Sequence, residues 1–92
     1  MQFYEDVQLS KKKAIPLASL APNEAGIVQY LAGGRGLTSR LAILGFTSGA
    51  RVNMVQNFGR GPIIVMVRDT RIALGRGEAQ KIIVTPVVEG GK

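Results

Sequence analysis

The chain has 92 residues, 46% of them hydrophobic, and a formal net charge of +6 at pH 7. This length fits one compact domain and leaves little room for a core plus a deep catalytic cleft. The sequence contains no cysteine and no histidine, which removes disulfides, thiolate and imidazole metal ligands, and the commonest general base. The composition therefore predicts a protein that is not an enzyme and that carries no cofactor and no resident metal ion.

The charge and the hydropathy pattern indicate the cellular location of the protein and the kind of partner that it binds. The excess of twelve Lys and Arg over six Asp and Glu favours an acidic partner. The longest unbroken apolar run, residues 63–67, is far shorter than the roughly 20 residues of a membrane-spanning helix. The N-terminal residues contain no apolar stretch followed by a small-residue cleavage site. We therefore expect a cytoplasmic protein that does not insert into a membrane.

The first half of the chain predicts a head segment, two strands and a helix. Residues 1–13 form the head segment, and residues 15–20 follow as a short edge strand or arm, because Pro16 cannot donate to a strand ladder. The β-branched run 27–31 is a strand that ends at a glycine pair. Leu37, Leu41 and Leu44 recur at i, i+4 and i+7, which predicts a helix over residues 36–44 with one seam facing the core and Gly45 as its C-terminal cap.

The second half predicts a series of strands joined by short connections. Strands are expected at 51–54, 63–68, 71–74 and 82–87, with a hairpin connection at 58–62, a tight turn at 69–70 and one helical turn within 75–81. The domain then spans residues 14–88, and residues 89–92 form a frayed tail. Five to six short strands with one inserted helix predict a small, mainly β barrel.

Several of these segments, in this order and spacing, resemble the FeoA family of ferrous iron transport proteins. The resemblance covers about residues 17–84 and rests on segments 20–26, 33–34, 40–50, 61–68, 71–74 and 78–84. It implies an SH3-like barrel and a cytosolic role beside FeoB, the membrane transporter that carries a GTP-binding domain. The family has no accepted catalytic residues, so the resemblance also implies a chain that binds a partner and catalyses nothing.

Surplus apolar residues on the expected surface suggest where that partner binds. If the odd-numbered residues of 63–67 face the core, the two-residue period of a strand turns Ile64 and Met66 outward. Ile43 lies off the leucine seam of the helix, and monomers rarely leave such residues clustered in water. We therefore predict a surface that binds the transporter, or a second copy of the chain, through Arg35, Leu37, Arg40, Ile43, Ile64 and Met66.

Two alternatives stay open on the residues alone. Phe3 and Tyr4 of the head segment could cover the outward side of strand 63–67, which would leave no free patch there. The basic face could instead serve a regulatory or nucleic-acid-binding small barrel. Proteins that bind single strands use aromatic stacking platforms, and only three aromatic residues lie within the domain, none interleaved with arginine. A nucleic-acid partner is therefore not expected.

Overall fold

The computed structural model describes residues 13–88, which form six strands in one antiparallel sheet. The strands are β1 (Ile15–Pro16), β2 (Ala25–Leu31), β3 (Arg51–Gln56), β4 (Ile63–Val67), β5 (Thr70–Leu74) and β6 (Ile82–Pro86). Helix α1 (Arg35–Leu44) lies between β2 and β3, and the short helix α2 (Arg76–Ala79) lies between β5 and β6. A 3-10 turn (Leu17–Ser19) follows β1.

The order of strands across the sheet is β1-β6-β2-β3-β4-β5. Strands β2 to β5 are neighbours in sequence as well as in space, with α1 inserted into the first connection. Strand β6 returns to pair with both β2 and β1, so the end of the domain lies between its first two strands. The prediction of a mainly β fold of five to six strands with one inserted helix is confirmed.

Strand β4 shows how the sequence pattern builds the core. Ile63, Val65 and Val67 are at most 1% exposed, whereas Ile64 and Met66 are half-buried on the opposite face. This is the two-residue period expected of a strand with one face packed on a core. Among residues 13–88 no polar or charged side chain is buried, so the side chains of the core are apolar.

Helix α1 begins one residue earlier than predicted and ends at Leu44 as predicted. Gly45 follows with a φ of +113°, and the N–H of Phe46 donates to the carbonyl of Leu41 (3.0 Å). These features make a Schellman motif, in which the residue after the cap packs on the last turn. Leu41 and Phe46 are fully buried, whereas Leu44 is 40% exposed. Because the chain reverses at Gly45, Phe46 takes the core position that the leucine seam predicted for Leu44.

The segment predicted as an edge strand at 15–20 is extended only at Ile15–Pro16. The next three residues form the 3-10 turn, which the N–H of Leu20 closes on the carbonyl of Leu17 (3.0 Å). Leu17 and Leu20 are both buried, so the turn replaces strand pairing with core packing.

The tight turn predicted at 69–70 lies one residue earlier, at Arg68–Asp69. Val67 and Thr70 pair across the hairpin, which leaves a two-residue loop. Both loop residues have left-handed φ values, 52° and 64°, as a type I′ hairpin requires. The residue types did not predict a turn at this position, because neither residue is the glycine or asparagine that is usual in such turns.

Candidate partner-binding surfaces

The outward face of α1 carries an exposed isoleucine beside arginines. Ile43 is 84% exposed, the highest value of any large hydrophobic residue in the described chain. Arg40, three residues earlier, is its neighbour on the helix surface, and Arg35 opens the helix. Arg40 also forms an ion pair with Glu78 of α2. We name Arg35, Arg40 and Ile43 the α1 surface: an apolar centre with cationic groups beside it.

Leu37, the fourth helical residue of the predicted site, has a different role. Its side chain is half-buried and packs against the core. A Cβ added at Gly33 would stand 2.5 Å from Leu37 Cδ2, so the leucine fills the space left by the glycine before the helix. Leu37 therefore supports the start of α1 and offers a partner only part of its surface.

The remaining two predicted residues lie on β4, on the face of the sheet turned away from the core. Met66 lies between Asn53 of β3 and Arg71 of β5 in the register of the sheet. Ile64 lies between Gln56 of β3 and Ala73 of β5, and the side chains of Ile64 and Met66 are both half-buried. The six predicted residues thus fall on two elements, four on α1 and two on β4. Phe3 and Tyr4, the alternative cover for β4, lie outside the described residues.

Two open grooves accompany these elements. One, of about 570 Å³, runs between β2 and α1 and is lined by residues that include Tyr30, Thr38 and Ala42. The other, of about 420 Å³, lies beside Met66 and has Arg71 on its wall. Neither groove is lined by a carboxylate, and residues 13–88 hold no cluster of three Asp or Glu residues that could bind a metal ion.

The connection between β3 and β4 is fastened at its base by Asn57. The side-chain amide nitrogen of Asn57 donates to the carbonyls of Ala18 (2.9 Å) and Leu20 (2.8 Å). Its Oδ1 accepts from the N–H of Gly59 (2.9 Å) and from Nη2 of Arg76 (2.8 Å). One half-buried side chain therefore joins the hairpin to the 3-10 turn and to α2.

Beyond this base, the tip of the connection is exposed. Phe58 is 76% exposed, and Arg60 is exposed between Gly59 and Gly61, which have left-handed φ values of 85° and 73°. The sequence pattern predicts only a hairpin connection at residues 58–62. The signal that could have drawn attention to them is the triplet Gly-Arg-Gly at 59–61, which recurs at 34–36 and 75–77.

Comparison with known proteins assigns the chain to a family. The family model of the FeoA domain matches residues 15–86. A candidate Fe(2+) transport protein A of Methanocaldococcus jannaschii is 35% identical over 77 residues, which cover 84% of this chain and 93% of that protein. The chain belongs to the FeoA family. FeoA proteins are non-enzymatic, which confirms the prediction that the chain catalyses no reaction.

Solved FeoA structures have the same fold. The crystal structure of an iron uptake regulatory protein (FeoA) matches with a TM-score of 0.77 at 32% identity, covering 82% of this chain and 100% of that one. The FeoA of Stenotrophomonas maltophilia, crystallised with zinc and described as a prokaryotic SH3 domain protein, matches with a TM-score of 0.72 at 27% identity, covering 83% and 99%. The SH3-like fold predicted from the sequence is therefore confirmed. Within residues 13–88 no helix is long and apolar enough to cross a bilayer.

Proposed function

We propose that this FeoA protein is an accessory factor of ferrous iron transport that docks on the cytosolic part of a FeoB-type transporter through the α1 surface. Membership of the FeoA family supports the accessory role and the association with the Feo system. The observation that carries the docking surface is Ile43, 84% exposed on a helix that also presents arginines. A cytoplasmic location belongs to the same proposal, because the surface would meet the transporter from that side.

The α1 surface combines the two contributions that protein interfaces use most. Covering a fully exposed isoleucine contributes about 1.5–3 kcal/mol, which corresponds to roughly one to two powers of ten in affinity. An arginine guanidinium can grip a partner's carboxylate with two parallel hydrogen bonds. Arg40 already contacts Glu78, but this pair is exposed and contributes at most about 1 kcal/mol, so a partner carboxylate can compete for the guanidinium.

A binding titration with the purified cytosolic region of the cognate transporter tests the proposal. We expect Ile43→Asp to weaken binding at least tenfold, because the substitution removes apolar area and leaves a charge in the interface. The double charge reversal Arg35→Glu and Arg40→Glu should weaken it as well. Phe58→Asp is the matched control, since it changes another exposed hydrophobic residue in the same way and should retain wild-type affinity. Unchanged binding by Ile43→Asp would contradict the α1 surface.

A complementation assay tests the accessory role itself. Ferrous iron uptake should fall in a strain that lacks the gene and recover when the wild-type chain is returned. The Ile43→Asp variant should restore less uptake at equal protein level. If the deletion strain takes up iron at the normal rate, the accessory role is wrong wherever the surface lies.

The β4 residues Ile64 and Met66 enter the proposal as a second contact, for the transporter or for another copy of the chain. Their half-buried side chains offer less apolar area than Ile43, so a smaller effect is expected. Sedimentation equilibrium over a range of concentrations separates the two partners. A self-associating chain would become monomeric in a Met66→Asp variant, and a wild-type chain that is monomeric throughout would leave the transporter as the only candidate for this patch.

A further inference from the structure

The tip of the β3–β4 hairpin, which the α1 docking surface does not use, presents an aromatic and a cationic side chain to the outside. We propose that this tip, through Phe58 and Arg60, anchors the protein on an anionic lipid bilayer surface. The inference goes beyond docking to the transporter and rests on different residues. Such an anchor would hold the accessory protein at the membrane in which its partner resides.

The tip is held in shape, although its outer side chains are largely exposed. Phe58 is 76% exposed, and no polar contact of the Arg60 side chain is found within residues 13–88. The base is nevertheless fixed: Asn57 accepts from the N–H of Gly59 (2.9 Å), and Nε of Arg76 donates to the carbonyl of Gly61 (3.1 Å). A preorganised loop loses less conformational entropy when it binds.

The chemistry of the two side chains suits a lipid surface. An aromatic side chain that enters the boundary between head groups and acyl chains recovers the free energy lost by exposing it to water. A nearby arginine is attracted to anionic head groups by about 1 kcal/mol. The rest of the domain adds to this attraction, because residues 13–88 contain nine Lys and Arg against three Asp and Glu. The tip therefore combines an apolar wedge with a local positive charge.

The arrangement of aromatic residues favours a bilayer over other anionic partners. Single-stranded nucleic acid is bound by successive aromatic platforms, but Phe58 is the only exposed aromatic on the tip. The other exposed aromatic within residues 13–88, Tyr30, belongs to β2, where it lines the groove against α1. Phe58 and Arg60 line neither groove described above, and an exposed tip suits a deformable interface.

A fluorescence experiment tests directly whether the side chain at position 58 enters the interfacial layer of the bilayer, because the chain contains no tryptophan that would mask the signal. In the full-length variant Phe58→Trp, the indole emission should shift to the blue when phosphatidylcholine vesicles containing phosphatidylserine are added, and brominated lipids should quench it. The matched reporter Ile43→Trp, on the α1 surface, should keep its emission. The proposal is wrong if the indole at position 58 does not shift, or if both reporters shift equally.

Charge variants test the role of Arg60 in vesicle sedimentation. Arg60→Glu should lower the vesicle partition coefficient roughly 25-fold, since each unit of charge near the surface is worth about fivefold. Arg71→Glu makes the same change near the opposite end of the β4–β5 pair and should lower it less than about fivefold. Equal losses of vesicle binding in the two variants would show that net charge alone attracts the protein to the membrane, and would overturn a specific role of the tip. Arg60→Lys should bind as wild type.

The vesicle experiments contain no transporter, so their outcome is independent of the α1 proposal. The Phe58→Asp variant should lose binding to vesicles and retain binding to the transporter. The Ile43→Asp variant should retain binding to vesicles and lose binding to the transporter. If the indole of Phe58→Trp responds to a single-stranded oligonucleotide and not to anionic vesicles, the tip is a nucleic-acid site and the bilayer proposal is overturned.

Discussion

The side chain of Asn57 offers the sharpest test of how this small domain is held together. Its amide nitrogen satisfies two main-chain carbonyls, those of Ala18 and Leu20, which are 39 and 37 residues away in the sequence. Removing the only donor of a partly buried acceptor costs about 1–3 kcal/mol. Asn57→Ala should therefore lower the free energy of unfolding by about 2–4 kcal/mol. That is a large part of the 5–15 kcal/mol typical of a whole domain.

Urea and thermal unfolding measure this change. For a domain of this length, the melting temperature should fall by about 10 °C or more. Asn53→Ala is the matched control, because Asn53 is exposed on β3 and accepts only a 3.3 Å hydrogen bond from Arg51. It should change stability by no more than about 0.5 kcal/mol. If the two variants are equally stable, the contacts of Asn57 do not hold the hairpin to the 3-10 turn.

Three further substitutions test the packing of the sheet and of α1. A Cβ at Gly26 would stand 2.8 Å from Val84 Cγ2, so Gly26→Ala should destabilise by about 1–3 kcal/mol in urea unfolding. Val84→Ala removes Cγ2 but leaves a space in the core, so the double variant should lose less stability than the sum of the two single variants. By the same assay, Gly45→Ala should lower the free energy of unfolding by about 1 kcal/mol or more, because Gly45 has a φ of +113° and its added Cβ would lie 2.9 Å from Arg68 Cδ. An unchanged free energy of unfolding would refute the role of Gly45 as the helix cap. Arg40→Ala should change the melting temperature little, since its ion pair is exposed, and a large fall would show a structural role in place of docking.

The elements of the fold follow from local patterns in the sequence. The alternation of β4 separates core from surface side chains as predicted, and Gly45 ends α1 where the leucine pattern stops. Contacts between distant segments do not follow from such patterns. Nothing local to Asn57 indicates that it reaches back to the 3-10 turn, and the exchange of Leu44 for Phe46 in the core depends on how the chain leaves the helix cap.

In the candidate site, too, local patterns predict some features, and contacts between distant segments decide the others. Ile43 stands off the leucine seam, and the structure places it 84% exposed. Ile64 and Met66 are less exposed than the strand period suggests, because neighbours on adjacent strands shield much of each side chain. Leu37 lies on the leucine seam, and its side chain packs against the core, so it adds little to the surface. Helical and strand periodicity show which way a residue points, but only the packed sheet shows how much of it remains open.

Docking of the transporter on α1 is the central claim, and mapping by nuclear magnetic resonance tests it most directly. The isotope-labelled chain would be titrated with the purified cytosolic region of the cognate transporter while its amide signals are recorded. We predict that the largest shifts and line broadening fall on residues Arg35–Leu44, with Ile43 among the strongest. Perturbations confined to other strands and loops, with α1 unchanged at saturation, would contradict the claim.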